Sequence, residues 1–102
     1  MQRIGRRTRL KPWAIGEYRD WHLKVWPELL ALNVGAGIRN YTIFIDGAEL
    51  FSYLEVDDFE GAISHLSDSE VAACWQTLMA PLMDSADAIS PWAVLEEVFH
   101  QD

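Results

Sequence analysis

A chain of 102 residues is too short for two ordinary domains, so a single hydrophobic core is expected to span residues 1–102. Its formal net charge of −8 opposes binding to nucleic acid or to an anionic membrane, and no apolar run reaches membrane-spanning length. The lone cysteine, Cys74, excludes an internal disulfide, and with no charged-then-apolar leader at the start the expected location is the cytoplasm.

Charge is distributed unevenly. All eight Lys and Arg residues lie at or before Arg39, five of them within the first eleven positions, whereas thirteen of the sixteen acids lie at or after Asp46. A basic start is therefore expected to face acidic later segments, through surface pairs worth about 0–1 kcal/mol each. Five tryptophans (Trp13, Trp21, Trp26, Trp75, Trp92) are a heavy load for this length, pointing to an aromatic core or an aromatic pocket.

Residues 3–10 read as a strand that ends at Lys11-Pro12, where proline suits the first turn of a helix. From Trp13 to about Gly35 the apolar residues recur at helical spacing, with Tyr18, His22, Trp26 and Leu30 on one stripe. Pro27 is expected to kink this helix one turn past His22. Gly35 and Gly37 end it. Tyr41-Thr42-Ile43-Phe44-Ile45 is β-branched and aromatic, the pattern of a largely buried strand, and Asp46-Gly47 is a hairpin turn signal. A second strand over residues 49–56 returns antiparallel.

Two helical patterns follow, one carrying Phe59, Ile63 and Leu66 and the next Val71, Trp75, Leu78, Met79 and Leu82, with Pro81 ending or bending the latter. Cys74 falls in this apolar stretch and reads as a small buried residue. Residues 83–91 form a polar loop, and residues 94–100 read as a last strand. The order β-α-β-β-α-β is the ferredoxin-like α+β plan: an antiparallel four-stranded sheet with helices on one face. The uncovered face of so apolar a sheet is expected to meet a second copy, giving a homodimeric α+β barrel.

No phosphate loop, nucleotide fingerprint or zinc spacing is present, so neither a metal nor a cofactor is expected. Tyr18 and His22, four apart, place a phenol and an imidazole on one helical face beside Trp26. Such a pair serves acid–base chemistry, or else His22 is a core histidine bonded to backbone. His65 sits on a helix end expected to be solvated, and His100 lies two residues from the C-terminus. Of Glu96 and Glu97, adjacent on a strand, one is expected to point inward and to pair with an arginine of the first strand.

The stretch Tyr18, His22, Trp26-Pro27-Glu28-Leu29, together with Asn40-Tyr41, Asp46 and Ser90-Pro91 followed by Leu95, Glu97, Val98 and Phe99, resembles the L-rhamnose mutarotases over essentially the whole chain. The resemblance implies a dimeric ferredoxin-like isomerase acting on a monosaccharide, with His22 as the proton donor and Tyr18 and Tyr41 as sugar-binding tyrosines. Where the family commonly carries two adjacent tryptophans that stack on the sugar, this sequence has Trp75 followed by Gln76, so Trp75 is expected to stack and Gln76 to alter selectivity. The first strand carries Arg6, Arg7 and Arg9 where the family tends to be apolar or neutral. L-Rhamnose is the expected sugar, with L-fucose, another aldose or a sugar acid reached by an arginine as alternatives. Two other classes stand beside it: a cofactor-free oxygenase or haem-handling barrel, and a non-enzymatic sugar-binding module.

Overall fold

The computed structural model describes residues 1–85 and 91–102. Ser90 of the Ser90-Pro91 pair and most of the expected polar loop lie outside the described residues. Strand β1 (Gln2–Arg9) leads through a single 3-10 turn over Pro12–Ala14 into helix α1 (Ile15–His22) and helix α2 (Pro27–Gly35). Strands β2 (Arg39–Asp46) and β3 (Glu49–Val56) form the hairpin, helices α3 (Phe59–Ser67) and α4 (Glu70–Met79) follow, and β4 (Ala93–Val94) closes the sheet. The strand order is β2-β3-β1-β4, and every described pairing is antiparallel. The ferredoxin-like α+β plan read from the sequence holds.

Alternation along the central strands assigns the two faces of the sheet. Arg6 and Thr8 of β1 and Leu50, Ser52, Leu54 and Val56 of β3 are buried, whereas Arg7 and Arg9 of β1 are exposed. The even-numbered residues face the helices. There Leu10, Ala14, Tyr18, Leu50, Met79, Leu82 and Met83 form one core cluster, and Ile38, Leu54, Val56 and Ala62 form a second. Local signals start the later helices: the Asp58 carboxylate accepts from the Gly61 amide at 3.1 Å and the Ser69 hydroxyl from the Ala72 amide at 3.4 Å.

Five expectations are corrected, the last of them concerning Glu97. The long kinked helix is two helices, because α1 stops at His22 and Pro27 begins α2 as its first residue, where its missing N–H costs nothing. Trp26 and Leu30 therefore do not share a helix with His22. Strand β2 is mostly exposed rather than buried, with Phe44 at 61% exposure, because it is an edge strand and its outward residues lie on the uncovered face. Strand β4 is only two residues long; beyond it the chain has no regular secondary structure, with Val98 and Phe99 exposed, although the Leu95 amide still donates to the Gly5 carbonyl at 2.8 Å. Cys74, on α4, is exposed.

The predicted charge complementarity is present at the surface. Arg3 pairs with Glu97 at 2.7 Å, Arg9 with Glu49 at 2.7 Å and Arg39 with Asp57 at 3.3 Å. Glu97 is thus the partner of a first-strand arginine, as expected, but both side chains are solvent-accessible rather than turned into the core. These pairs are worth little individually.

Candidate active site

Helix α1 carries the first half of the site. Tyr18 is buried, and the ring of His22 stacks on it with centroids 4.1 Å apart. His22 Nδ1 lies 2.9 Å from the backbone carbonyl oxygen of Tyr18. A carbonyl can only accept, so the neutral imidazole carries its proton on Nδ1 and leaves Nε2 as the nitrogen able to exchange one. Burial holds His22 below the ordinary imidazole pKa, and the bond to the Tyr18 carbonyl partly offsets this.

Trp75 on α4 faces this pair. Its indole meets Trp21, His22 and Trp26 edge-on, at centroid distances of 5.9, 5.5 and 5.2 Å. Trp26 rejoins His22 in this way across the break between α1 and α2, through a shared neighbour rather than a shared helix face. Gln76, the next residue of α4, is exposed, and among the described residues no hydrogen bond ties its side chain to the cluster. His65 and His100 are exposed and lie apart from it. No group of three His, Cys, Asp or Glu residues that could hold a metal ion occurs among the described residues.

The second half comes from the sheet. Between Arg39 and Thr42 strand β2 spends three residues while β3 spends two, from Glu55 to Tyr53, which is a β-bulge. Asn40 absorbs it at φ 51°, a conformation asparagine tolerates, and its amide donates to Glu55 Oε1 at 2.6 Å. The extra residue turns the next side chain, Tyr41, toward β1, where Arg6 Nη2 donates to its hydroxyl at 2.9 Å. Arg6 Nε donates to Ser52 Oγ at 3.2 Å, and the guanidinium carbon sits 4.9 Å from the ring centroid of Trp92.

The two halves meet at Tyr18. Burial raises its phenol well above the usual tyrosine range; Tyr41 pushes it the same way and Arg6 opposes. Tyr18 therefore stays protonated and able to donate at any pH the fold survives. Tyr41, 39% exposed, stands at the rim. Among the described residues no carboxylate joins the hydrogen bonds of Tyr18, His22, Tyr41 or Arg6. Of the residues expected to form the site, Tyr18, His22 and Trp75 converge directly and Tyr41 joins through Arg6.

The roles of Trp21, Ser52 and Trp92 were not anticipated, and Arg6 was not distinguished from Arg7 and Arg9. Strand alternation holds the signal that separates them: Arg6 and Thr8 share parity with Ile4 and Leu10, whereas Arg7 and Arg9 have the opposite parity.

Comparison with known proteins identifies the family. Residues 3–101 match the family model described as L-rhamnose mutarotase. The L-rhamnose mutarotase of Bacillus subtilis is 39% identical over 89 residues, covering 84% of this chain and 85% of that one, and that of Lactiplantibacillus plantarum is 35% identical with both chains covered completely. The crystal structure of an L-rhamnose mutarotase from Formosa agariphila superposes with a TM-score of 0.84 at 30% identity, over 100% of each chain. A fold, an aromatic-walled histidine and full-length similarity to these proteins coincide, and the chain belongs to the L-rhamnose mutarotase family.

Proposed function

We propose that this chain, acting as one mutarotase domain over residues 1–102, interconverts the α and β anomers of L-rhamnose or a closely related deoxyhexose such as L-fucose, with His22 as the acid–base group. The observation that carries this reading is the tethered imidazole. With Nδ1 bound to the Tyr18 carbonyl, the ring is fixed in orientation and only Nε2 can reach a substrate.

The reaction needs few parts. Protonated His22 gives the Nε2 proton to the ring oxygen as the bond from that oxygen to the anomeric carbon breaks, while the anomeric hydroxyl releases its proton to water. Rotation of the open-chain aldehyde and reclosure on the other face, in which the attacking hydroxyl returns its proton to Nε2 and the aldehyde oxygen regains one from water, complete the exchange. A positioned group of this kind contributes roughly 10² to 10⁴ in rate, enough for a reaction that already proceeds in water. Trp75 offers a ring on which the apolar side of a pyranose can stack, and Tyr18 and Tyr41 offer hydroxyls to orient it. Gln76, beside Trp75, sets selectivity from the edge of that platform.

A homodimer belongs to the same reading. The uncovered sheet face carries Phe44 and Phe51, and a groove of about 380 Å³ beside it is lined by Arg3, Tyr53, Leu95, Glu97 and Phe99. A second copy would cover these apolar side chains. The expected location is the cytoplasm; among the described residues no helix is long and apolar enough to cross a membrane. Saturation-difference proton NMR on L-rhamnose tests the activity: exchange between the two anomeric signals above the buffer rate is expected, and its absence in well-folded protein refutes the reading.

A further inference from the structure

Arg6 is only 9% exposed, on the helix-facing side of the central strand β1. A guanidinium keeps its charge at every pH a protein meets, and burying a charge is costly unless an opposite charge answers it. Its partners here are neutral: Ser52 Oγ at 3.2 Å and Tyr41 Oη at 2.9 Å, with the Trp92 ring 4.9 Å away. The other arginine ion pairs, those of Arg3, Arg9 and Arg39, are all at the surface, and no ion pair of Arg6 is found among the described residues.

The geometry of the group narrows what is missing. A guanidinium has five N–H donors, and Ser52 and Tyr41 take two, leaving three of the planar fork without a partner among the described residues. Such a fork matches the two oxygens of a carboxylate. Two residues along the same face, Thr8 is 7% exposed and its hydroxyl has no hydrogen-bond partner among the described residues. A buried cation and a buried unanswered hydroxyl therefore stand about one strand repeat apart, roughly 7 Å. Trp92, which lies over the Arg6 guanidinium, packs against the core cluster that contains Tyr18, the residue on which His22 stacks.

We propose that this cluster of side chains takes an aldose bearing a carboxylate, a hexuronic acid, with the carboxylate held by Arg6 and a sugar hydroxyl by Thr8. The proposal rests on the anomer-exchange reading above and adds the charge class of the substrate to it. Tyr41 and Ser52 aim the guanidinium, and Trp92 covers one side of it. An anion entering past Tyr41 gains charge-assisted hydrogen bonds that a methyl group at the same carbon cannot form.

The test is saturation-difference NMR with the full chain on two panels, L-rhamnose and L-fucose against galacturonate, glucuronate and mannuronate. Catalysed exchange on at least one uronate is expected. In Arg6→Leu the ratio of kcat/KM on that uronate to kcat/KM on the best neutral sugar should fall about 10- to 100-fold, with partial recovery in Arg6→Lys. If Arg6→Leu fails to fold, the wild-type protein decides with the neutral amide of the same uronate, whose KM should be at least about 10-fold higher than that of the acid. Exchange on the neutral sugars with none on any uronate, an unchanged ratio in Arg6→Leu, or equal KM for acid and amide overturns the carboxylate site and leaves the mutarotase reading standing. Exchange on neither panel overturns both.

Discussion

His22 Nδ1 and the Tyr18 carbonyl oxygen, 2.9 Å apart one helical turn down the chain, fix both the orientation and the tautomer of the imidazole. A rotating histidine would present either nitrogen to a substrate. This one presents Nε2, which is what repeated donation and recovery of one proton requires. His22→Ala should therefore lose roughly two to four powers of ten of catalysed anomer exchange by NMR, with an unchanged circular dichroism spectrum. Wild-type exchange rates in folded His22→Ala would move the acid role elsewhere.

The depressed pKa of His22 has a thermodynamic counterpart. Above about pH 6.5 the histidine is neutral in both the folded and the unfolded chain, so it contributes no pH dependence. As the pH falls below that value the unfolded chain takes up a proton first, and stability is lost until the lower folded pKa is passed. The Tm of the wild type should fall more between pH 7.5 and 5.5 than that of His22→Gln. Parallel Tm curves for the two proteins would contradict the burial of the ring, as would an NMR titration of His22 at or above the ordinary imidazole value.

Trp75 joins α4 to α1 and to the turn before α2 through three edge-on ring contacts. At about 0.5–1.5 kcal/mol per aromatic pair, Trp75→Ala should cost roughly 2–4 kcal/mol in urea denaturation and should also weaken sugar binding. Wild-type affinity in a folded Trp75→Ala protein would remove it from the sugar platform. Gln76→Trp should change the relative rates on L-rhamnose and L-fucose, and an unaltered ratio would assign Gln76 to the solvent.

Asp58 caps α3 far from the imidazole, with its carboxylate on the Gly61 amide. Asp58→Ala should lower the urea midpoint by the equivalent of about 1 kcal/mol and leave kcat/KM on the sugar unchanged. A loss of turnover without a loss of stability would be the contrary result.

The uncovered sheet face predicts association. Light scattering at micromolar concentration should give twice the chain mass, and Phe51→Glu, which places a charge in the middle of that face, should shift the population to single chains. A wild type that runs as a single chain under these conditions would refute the homodimer.

Local chemistry made the hairpin legible: Asp46-Gly47 demands a turn, Gly47 adopts φ 60°, and β3 falls at the expected bounds. The pair Tyr18 and His22 was legible for the same reason, since four residues on one helix meet whatever else the chain does. Trp26 could be assigned to the site but not by the correct route, because Pro27 suits a helix start as well as a kink and only packing against Trp75 decides between them. The exposure of β2 was invisible in its composition, since an apolar edge strand with one face uncovered reads like one that is buried. Arg6 was hidden by Arg7 and Arg9 although its parity with Ile4 and Leu10 sets it apart, and its pairing with Ser52 of β3 shows that it is the one that turns inward.

The extra residue at Asn40 does more than aim Tyr41. Strand β2 is an outer edge of the sheet, and a flat edge of this kind offers a row of unpaired amides and carbonyls on which another strand can grow. A residue at φ 51° near the start of that row breaks its regular spacing and bends it away from plane. Replacing Asn40 by a β-branched residue that resists this backbone, such as valine, would straighten the edge as it displaced Tyr41. The same change that disarms the pocket would thus leave a chain prone to stack strand on strand into insoluble assemblies.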